Sequence, residues 1–380
     1  MQPQPRRLLP YVLVLAVAVT ADLTASWWLL PLATWAKGRH DPVDTLASTL
    51  PPPKVTRMAP VGHLRFDAAG NTYSTRGNTI TARTPDGAES WSFEVPHEVG
   101  HFDGIVVDVD GTVYTTGTVG TIAIKDGAVM WRSTPEPKPN DGSEMALSLA
   151  IAADGSVVVG EYGELAVVER DGHIRWNTTK ISGCVTVARI RDGVVCGEHE
   201  LTALVASDGT PRWSASFTGN GYIGAVADDG TMYLTAHPQN VFMSGEESLI
   251  AVDAGGHEKW RHRLDGPPAG VAVVNGDVIA TGGALYRFRP DGSEAWHVRP
   301  NDYLASGPVI VGNTIVAAGR HRVLGFDGSG RFLWAVDVPP DDRRFVVPEL
   351  STDGRGRVAA VTPLLDFAIL MEITAANERH

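Results

Sequence analysis

Residues Ile250 to Trp260 read IAVDAGGHEKW: a short apolar alternating segment, a glycine turn, and a second segment entered through a tryptophan. Alternation on both sides of a turn is the pattern of an antiparallel hairpin. The chain repeats this phrase seven times. Trp91, Trp131, Trp176, Trp213, Trp260, Trp296 and Trp334 are the only tryptophans after residue 40, and each follows a glycine by four positions: Gly87, Gly127, Gly172, Gly209, Gly256, Gly292 and Gly330. In five phrases an aspartate precedes the glycine, giving Asp-Gly pairs suited to the positive φ of a tight hairpin. A large amphipathic ring at one position per repeat is a packing element, and losing one would cost about 3 to 5 kcal/mol.

Each unit also contains an earlier hairpin turn. These are Gly70-Asn71, Asp110-Gly111, Asp154-Gly155, Asp192-Gly193, Asp229-Gly230, Asn275-Gly276, Gly312-Asn313 and Asp353-Gly354. Two hairpins in a unit of about 40 residues make a four-stranded sheet, and a series of such sheets makes a propeller. That also accommodates 380 residues, more than one ordinary core holds, because each blade packs only on its neighbours. The expectation is an all-β, eight-bladed propeller over residues 61–380. The eighth unit is one strand short, so Val55 to Met58 is expected to supply its outer strand and close the ring.

Ahead of the repeats, Arg6 and Arg7 precede an apolar run from Leu8 to Ala21, with a small-residue cleavage pattern at Val19-Thr20-Ala21. The run resumes past Asp22 with Trp27, Trp28 and Trp35. Residues 1–40 therefore read as a signal peptide or a single-span anchor, and both place the rest outside the cytoplasm. Residues 41–60, with Pro51-Pro52-Pro53, read as a stiff linker that runs into the closing strand. The net charge of −12 without basic runs argues against nucleic-acid binding. Cys184 and Cys196 are the only cysteines. A hairpin turning at Asp192-Gly193 would set them about 17 Å apart, and two separate buried thiols are expected; an oxidising compartment would permit a disulfide under a different register.

The Gly-x-x-x-Trp phrases resemble the tryptophan-docking repeat of quinoprotein-type eight-bladed propellers, whose enzymes carry pyrroloquinoline quinone. They also resemble the bacterial outer-membrane assembly propeller, which shares the fold without the cofactor. The resemblance runs from Val61 to about Ile373. It implies that the tryptophans pack between blades. The quinone enzymes are longer and carry adjacent cysteines and a central calcium set, whereas this chain has no adjacent cysteines and little sequence beyond the blades. The resemblance therefore implies a non-catalytic, monomeric protein-binding or assembly scaffold, with no cofactor expected. A quinone- and calcium-dependent oxidoreductase is the alternative.

His97-Glu98-Val99-Gly100-His101 matches H-E-x-x-H, so a hydrolase with zinc on His97 and His101 is a second alternative. Its context is poor: Pro96 and Gly100 flank and interrupt it in a loop between blades. On the propeller register, His97, His101, Glu161, Tyr162, His199, Glu200, His237 and His321 fall on one face, where a partner or ligand would bind. Coming from different blades, they serve equally as ordinary polar loop residues. The fifth unit is about ten residues longer than its neighbours. The excess lies in Ala236 to Ser248 and places Phe242 and Met243 at an apolar loop tip on the same face.

Overall fold

The computed structural model of the chain describes residues 53–374, apart from 59–61, 96–104, 118–119, 134–147, 153, 162–163, 179–180, 182–185, 191–192, 198–199, 218–219, 238–246, 305, 339–348 and 363–366. Within these residues the fold is eight four-stranded antiparallel sheets. Blades 1 to 7 each take consecutive strands, over residues 64–94, 105–133, 148–178, 186–216, 220–263, 270–298 and 309–337. Blade 8 takes Glu349–Thr352, Arg357–Thr362 and Phe367–Glu372, with Lys54–Met58 as its fourth strand. The first strands of neighbouring blades touch all round the ring, blade 8 to blade 1 included.

The burial pattern follows from this stacking. Middle strands are covered on both faces by neighbouring blades, so Gly193–Gly197, Ser248–Val252 and Thr314–Ala318 are buried along their whole length. Such strands read as continuous apolar runs rather than alternations. Outer strands such as Pro211–Ser216 and Glu258–Arg263 alternate between exposed and half-buried positions. Each apolar cluster bridges two blades: Tyr73, Ile80 and Ala82 of blade 1 pack with Val113, Ile122 and Ile124 of blade 2.

Six of the seven repeat glycines are contacted as a group in one way. Trp91, Trp131, Trp176, Trp213, Trp260 and Trp296 each lie against the turn glycine of the following blade, namely Gly127, Gly172, Gly209, Gly256, Gly292 and Gly330. A methyl group on those glycines would approach the tryptophan to between 2.6 and 3.1 Å. The indole N–H of Trp131, Trp176, Trp213, Trp260 and Trp296 donates to a carbonyl in that same turn, at 2.6 to 3.1 Å. The glycine thus serves two ends, a positive φ and a flat platform for the incoming ring.

Trp334 departs from the series. Blade 8 has no turn between its last two strands, because they are the C-terminal strand Phe367–Glu372 and the distant Lys54–Met58. The ring instead is fully buried, against Gly325 of its own blade, and its indole nitrogen has no hydrogen-bond partner.

Two turn details differ from the sequence expectation. Positive φ falls on both residues only at Asp126-Gly127 and Asn275-Gly276. At Asp253 to His257, by contrast, the glycine N–H bonds back three residues (Gly256 to Asp253 O, 3.0 Å) and only the glycine is left-handed. That is a longer turn with a glycine bulge, matched to the register shift beside each tryptophan strand.

The cysteines require a correction. Among the described residues no cysteine is free: Cys196 is disulfide-bonded, and the only other cysteine of the sequence, Cys184, lies outside them. The expected register was wrong. Ile190 pairs with Gly193, which sets Cys196 opposite Val187 rather than residue 189.

Among the described residues no helix is long and apolar enough to cross a membrane. The segment 1–40 lies outside them.

Candidate functional site

Antiparallel blades present two unlike faces. One carries the turns joining first to second and third to fourth strands. The other carries the second-to-third connections and the segments that pass from blade to blade.

On the turn face the carboxylates are engaged in holding the turns. Asp110 takes the N–H of Thr112 (3.0 Å) and the ammonium of Lys125 (2.9 Å). The Lys125 hydrogen bond is the main cause of a carboxyl pulled down to about 2, against the opposing effect of burial. Asp108 takes the N–H of Val109 and the guanidinium of Arg170, both at 2.7 Å. This is hairpin chemistry, and a calcium site is not needed to explain the Asp108-Asp110 pair. Arg287 ties Asp277 (2.7 Å) to the Gly328 carbonyl of the next blade at 2.5 Å.

The other face is built from connections, and the sequence placed its candidate residues there. Glu161 ends the second strand of blade 3 and Glu200 begins the third strand of blade 4, where it is exposed. His237 ends the second strand of blade 5 and His321 is an exposed residue preceding the third strand of blade 7. All four sit at second-to-third connections, hence on one face. His97, His101, Tyr162, His199, Phe242 and Met243 lie outside the described residues. Among the described residues no three His, Cys, Asp or Glu side chains gather as a metal-ligand set.

His237 has defined neighbours. Its ring meets Tyr222 edge-on at 6.0 Å, and its Nδ1 lies 3.1 Å from Oε2 of Glu247. His237 and Glu247 flank residues 238–246, so this pair sits where the fifth-blade insertion leaves the sheet.

Further round the same face, the segment from blade 6 to blade 7 contributes Asp302 and Tyr303. The buried Asp302 carboxylate accepts three backbone N–H groups, from Arg320 (3.0 Å), His321 (2.9 Å) and Arg322 (2.8 Å). That fixes the second-to-third connection of blade 7. Gly319 beside it has no room for a side chain, since a methyl group would meet the Asp302 carboxyl. Fixing this loop sets the Arg320 guanidinium over the Tyr303 ring, 5.8 Å from its centre.

Between blades 8 and 1 the face carries a third group. Glu349 binds Arg65 (2.6 Å) and His63 (3.0 Å). Burial opposes its charge most strongly, yet the His63 hydrogen bond and the Arg65 charge together hold its carboxyl below the ordinary range.

Sequence reasoning found His237 and the insertion that contains Glu247 but missed Tyr303, Arg320 and Asp302. No motif links them, because two different connections supply them. The usable signal was positional: each lies at a connection on the same register as His237.

The family model described as outer membrane protein assembly factor BamB matches residues 58–194 and 180–280, together more than half of the chain. No curated protein matches it. Among solved structures, BamB from Moraxella catarrhalis is 15% identical with a TM-score of 0.62, over 85% of this chain and 100% of that one. The computationally designed Ika8 protein is 15% identical with a TM-score of 0.62, over 86% and 100%. The C-terminal WD40 domain of Sif2 is 11% identical with a TM-score of 0.68, over 87% and 99%. At these identities the structures speak for the fold alone.

Proposed function

Since the chain belongs to the family described as outer membrane protein assembly factor BamB, we propose that it is a non-catalytic, extracytoplasmic scaffold that binds protein partners through the connection face of its propeller. The family match over residues 58–280 carries this reading. The bonded Cys196 agrees with it, because structural disulfides persist in oxidising compartments. Residues 1–40 serve as signal or anchor, and residues 41–60 lead from it to the blade 8 strand. The propeller is a monomeric domain in which six tryptophan rings docked on the next blade's glycine keep the face rigid. Rigidity suits a binding platform, since it limits what must be ordered on association.

This scaffold works without quinone, calcium or zinc. In support, the two cysteines are twelve positions apart in sequence and cannot form a vicinal disulfide over a quinone. The H-E-x-x-H stretch also falls between the blade 1 and blade 2 strands, Glu89–Glu94 and Ile105–Val107, a short span for an active-site helix.

The partner reaches the insertion of blade 5. Replacing Phe242 and Met243 together by serine is expected to lower the yield of partner cross-linked to the chain in its own envelope several-fold, with an unchanged melting temperature. A lowered melt would make both residues core. An undiminished yield would move the contact elsewhere on the face.

A further inference from the structure

Among the described residues, the large hydrophobic side chains left exposed are Val55, Val109, Met130 and Ile174. Single exposed apolar residues need no explanation, whereas a group of them marks an interaction surface. Three of these belong together on the turn face, where blade 2 meets blade 3. Val109, 73% exposed, stands in the first turn of blade 2. Met130, 61% exposed, follows the second turn of that blade, and Ile174, 37% exposed, follows the second turn of blade 3.

Arg170 joins the three positions. Its guanidinium binds Asp108, the neighbour of Val109, at 2.7 Å, and its carbonyl accepts the indole N–H of Trp131, the neighbour of Met130, at 2.6 Å. The Trp131 ring lies against Gly172, two residues before Ile174. Each apolar residue is thus one or two residues from a group in contact across the seam between the two blades. The repeat does not require them. At the corresponding positions blade 1 has Ala68, Ser90 and Glu89, and blade 5 has Asp228, Lys259 and Glu258. Small or polar residues satisfy the fold there, so packing within a blade does not account for the apolar ones.

We infer that Val109, Met130 and Ile174 form a second docking surface, on the face opposite the connections, for a basic amphipathic segment of a protein partner. Its apolar side chains cover the three residues, and its Lys or Arg side chains meet the rim. The rim decides the class of partner. Asp110, Asp126 and Asp171 are exposed there, and Arg170 and Lys125 beside them are already engaged by Asp108 and Asp110. The chain's net charge of −12 attracts a basic segment over longer range and repels an anionic membrane surface or a second copy of the chain. Met, Trp and Arg together are also the residue types enriched at protein interfaces. Partners on both faces would let one propeller hold two proteins at once, which goes beyond the connection-face reading and does not depend on it.

The test uses the full chain and a short fluorescent peptide of leucine and lysine patterned as an amphipathic helix. Its counterpart with glutamate for lysine and vesicles of phosphatidylglycerol are measured beside it. The double variant Val109→Ser with Met130→Ser is expected to bind the leucine-lysine peptide about tenfold more weakly than wild type. Its melting temperature should not change, since both side chains are exposed. Asp126→Asn with Asp171→Asn should weaken binding several-fold, and the glutamate peptide and the vesicles should not bind. Val55→Ser, at the exposed valine of the blade 8 strand, should leave binding unchanged. Undiminished binding by the double serine variant overturns the inference, as does an equal loss in Val55→Ser. Vesicle binding by wild type that the double serine variant loses would also overturn it, in favour of a lipid surface. None of these outcomes involves Phe242 or Met243, so the connection-face reading stands or falls by its own cross-linking.

Discussion

Deleting residues 51–60 will lower the melting temperature by roughly 5–10 °C. The strand Lys54–Met58 pairs with Phe367–Glu372 through five residue pairs, from Lys54 with Glu372 to Met58 with Ala368. At about 1 kcal/mol net for each backbone hydrogen bond, the ladder is worth on the order of 5 kcal/mol. Apolar burial adds little, because Lys54, Val55 and Thr56 are exposed, and the Lys54 to Glu372 ion pair (3.1 Å) is a surface one of small value. The deletion would also bare the edge of the C-terminal strand and invite pairing with another chain.

Collapse of the ring is not expected, since blade 8 has other ties to blade 1. Leu64 packs among Ala359, Val361 and Ala368. Arg65 and His63 hold Glu349 on one face. On the other, Arg357 binds Asp353, donates to the Gly70 carbonyl and lies over the Phe66 ring. An unchanged melt would mean that Lys54–Met58 contributes nothing to closure.

The second large effect separates two roles of one residue type. Gly256 has a φ of +86° and lies against Trp213, with 2.7 Å from its would-be methyl to the ring. Gly87 has a φ of +90° and nothing within 4 Å. That open space follows from the topology, because blade 8 precedes blade 1 and has no tryptophan strand to send. Gly87→Ala should therefore cost only the left-handed backbone, about 1–2 kcal/mol. Gly256→Ala should cost that plus the displacement of Trp213, a further 1–3 kcal/mol. Chemical denaturation of the two variants side by side measures the difference. Equal losses would reduce the glycine to a turn residue and deny the ring any part in joining blades.

What the sequence made legible follows from repetition. A ring and a glycine four residues apart recur because the same contact is made blade after blade, so spacing alone carried the sheet count and the strand order. The turn chemistry was half legible. Asp-Gly pairs marked where each turn falls, but the three-residue return of the glycine N–H, which decides the bulge, depends on the register of both strands. The cysteine reading failed in part for the same reason: it set Cys196 opposite residue 189, two residues from Val187, its actual partner in the ladder.

The candidate site was legible only where it broke the repeat. The extra length in blade 5 marked His237 and its neighbours. Tyr303 and Arg320 come from two connections with no shared spacing. Their meeting is a product of the Asp302 carboxylate gripping the loop of blade 7. Trp334 shows the converse. Its sequence phrase is intact, yet its ring has no glycine turn to meet, because the blade that follows is completed by the other end of the chain.

The most direct test of the scaffold account is native mass spectrometry of the chain released from its own envelope in mild detergent, without added metal. The account predicts the polypeptide mass with no small-molecule increment, in a complex with a protein partner that dissociates to the bare chain. A chain that carries one quinone or one zinc ion and no protein partner would contradict it.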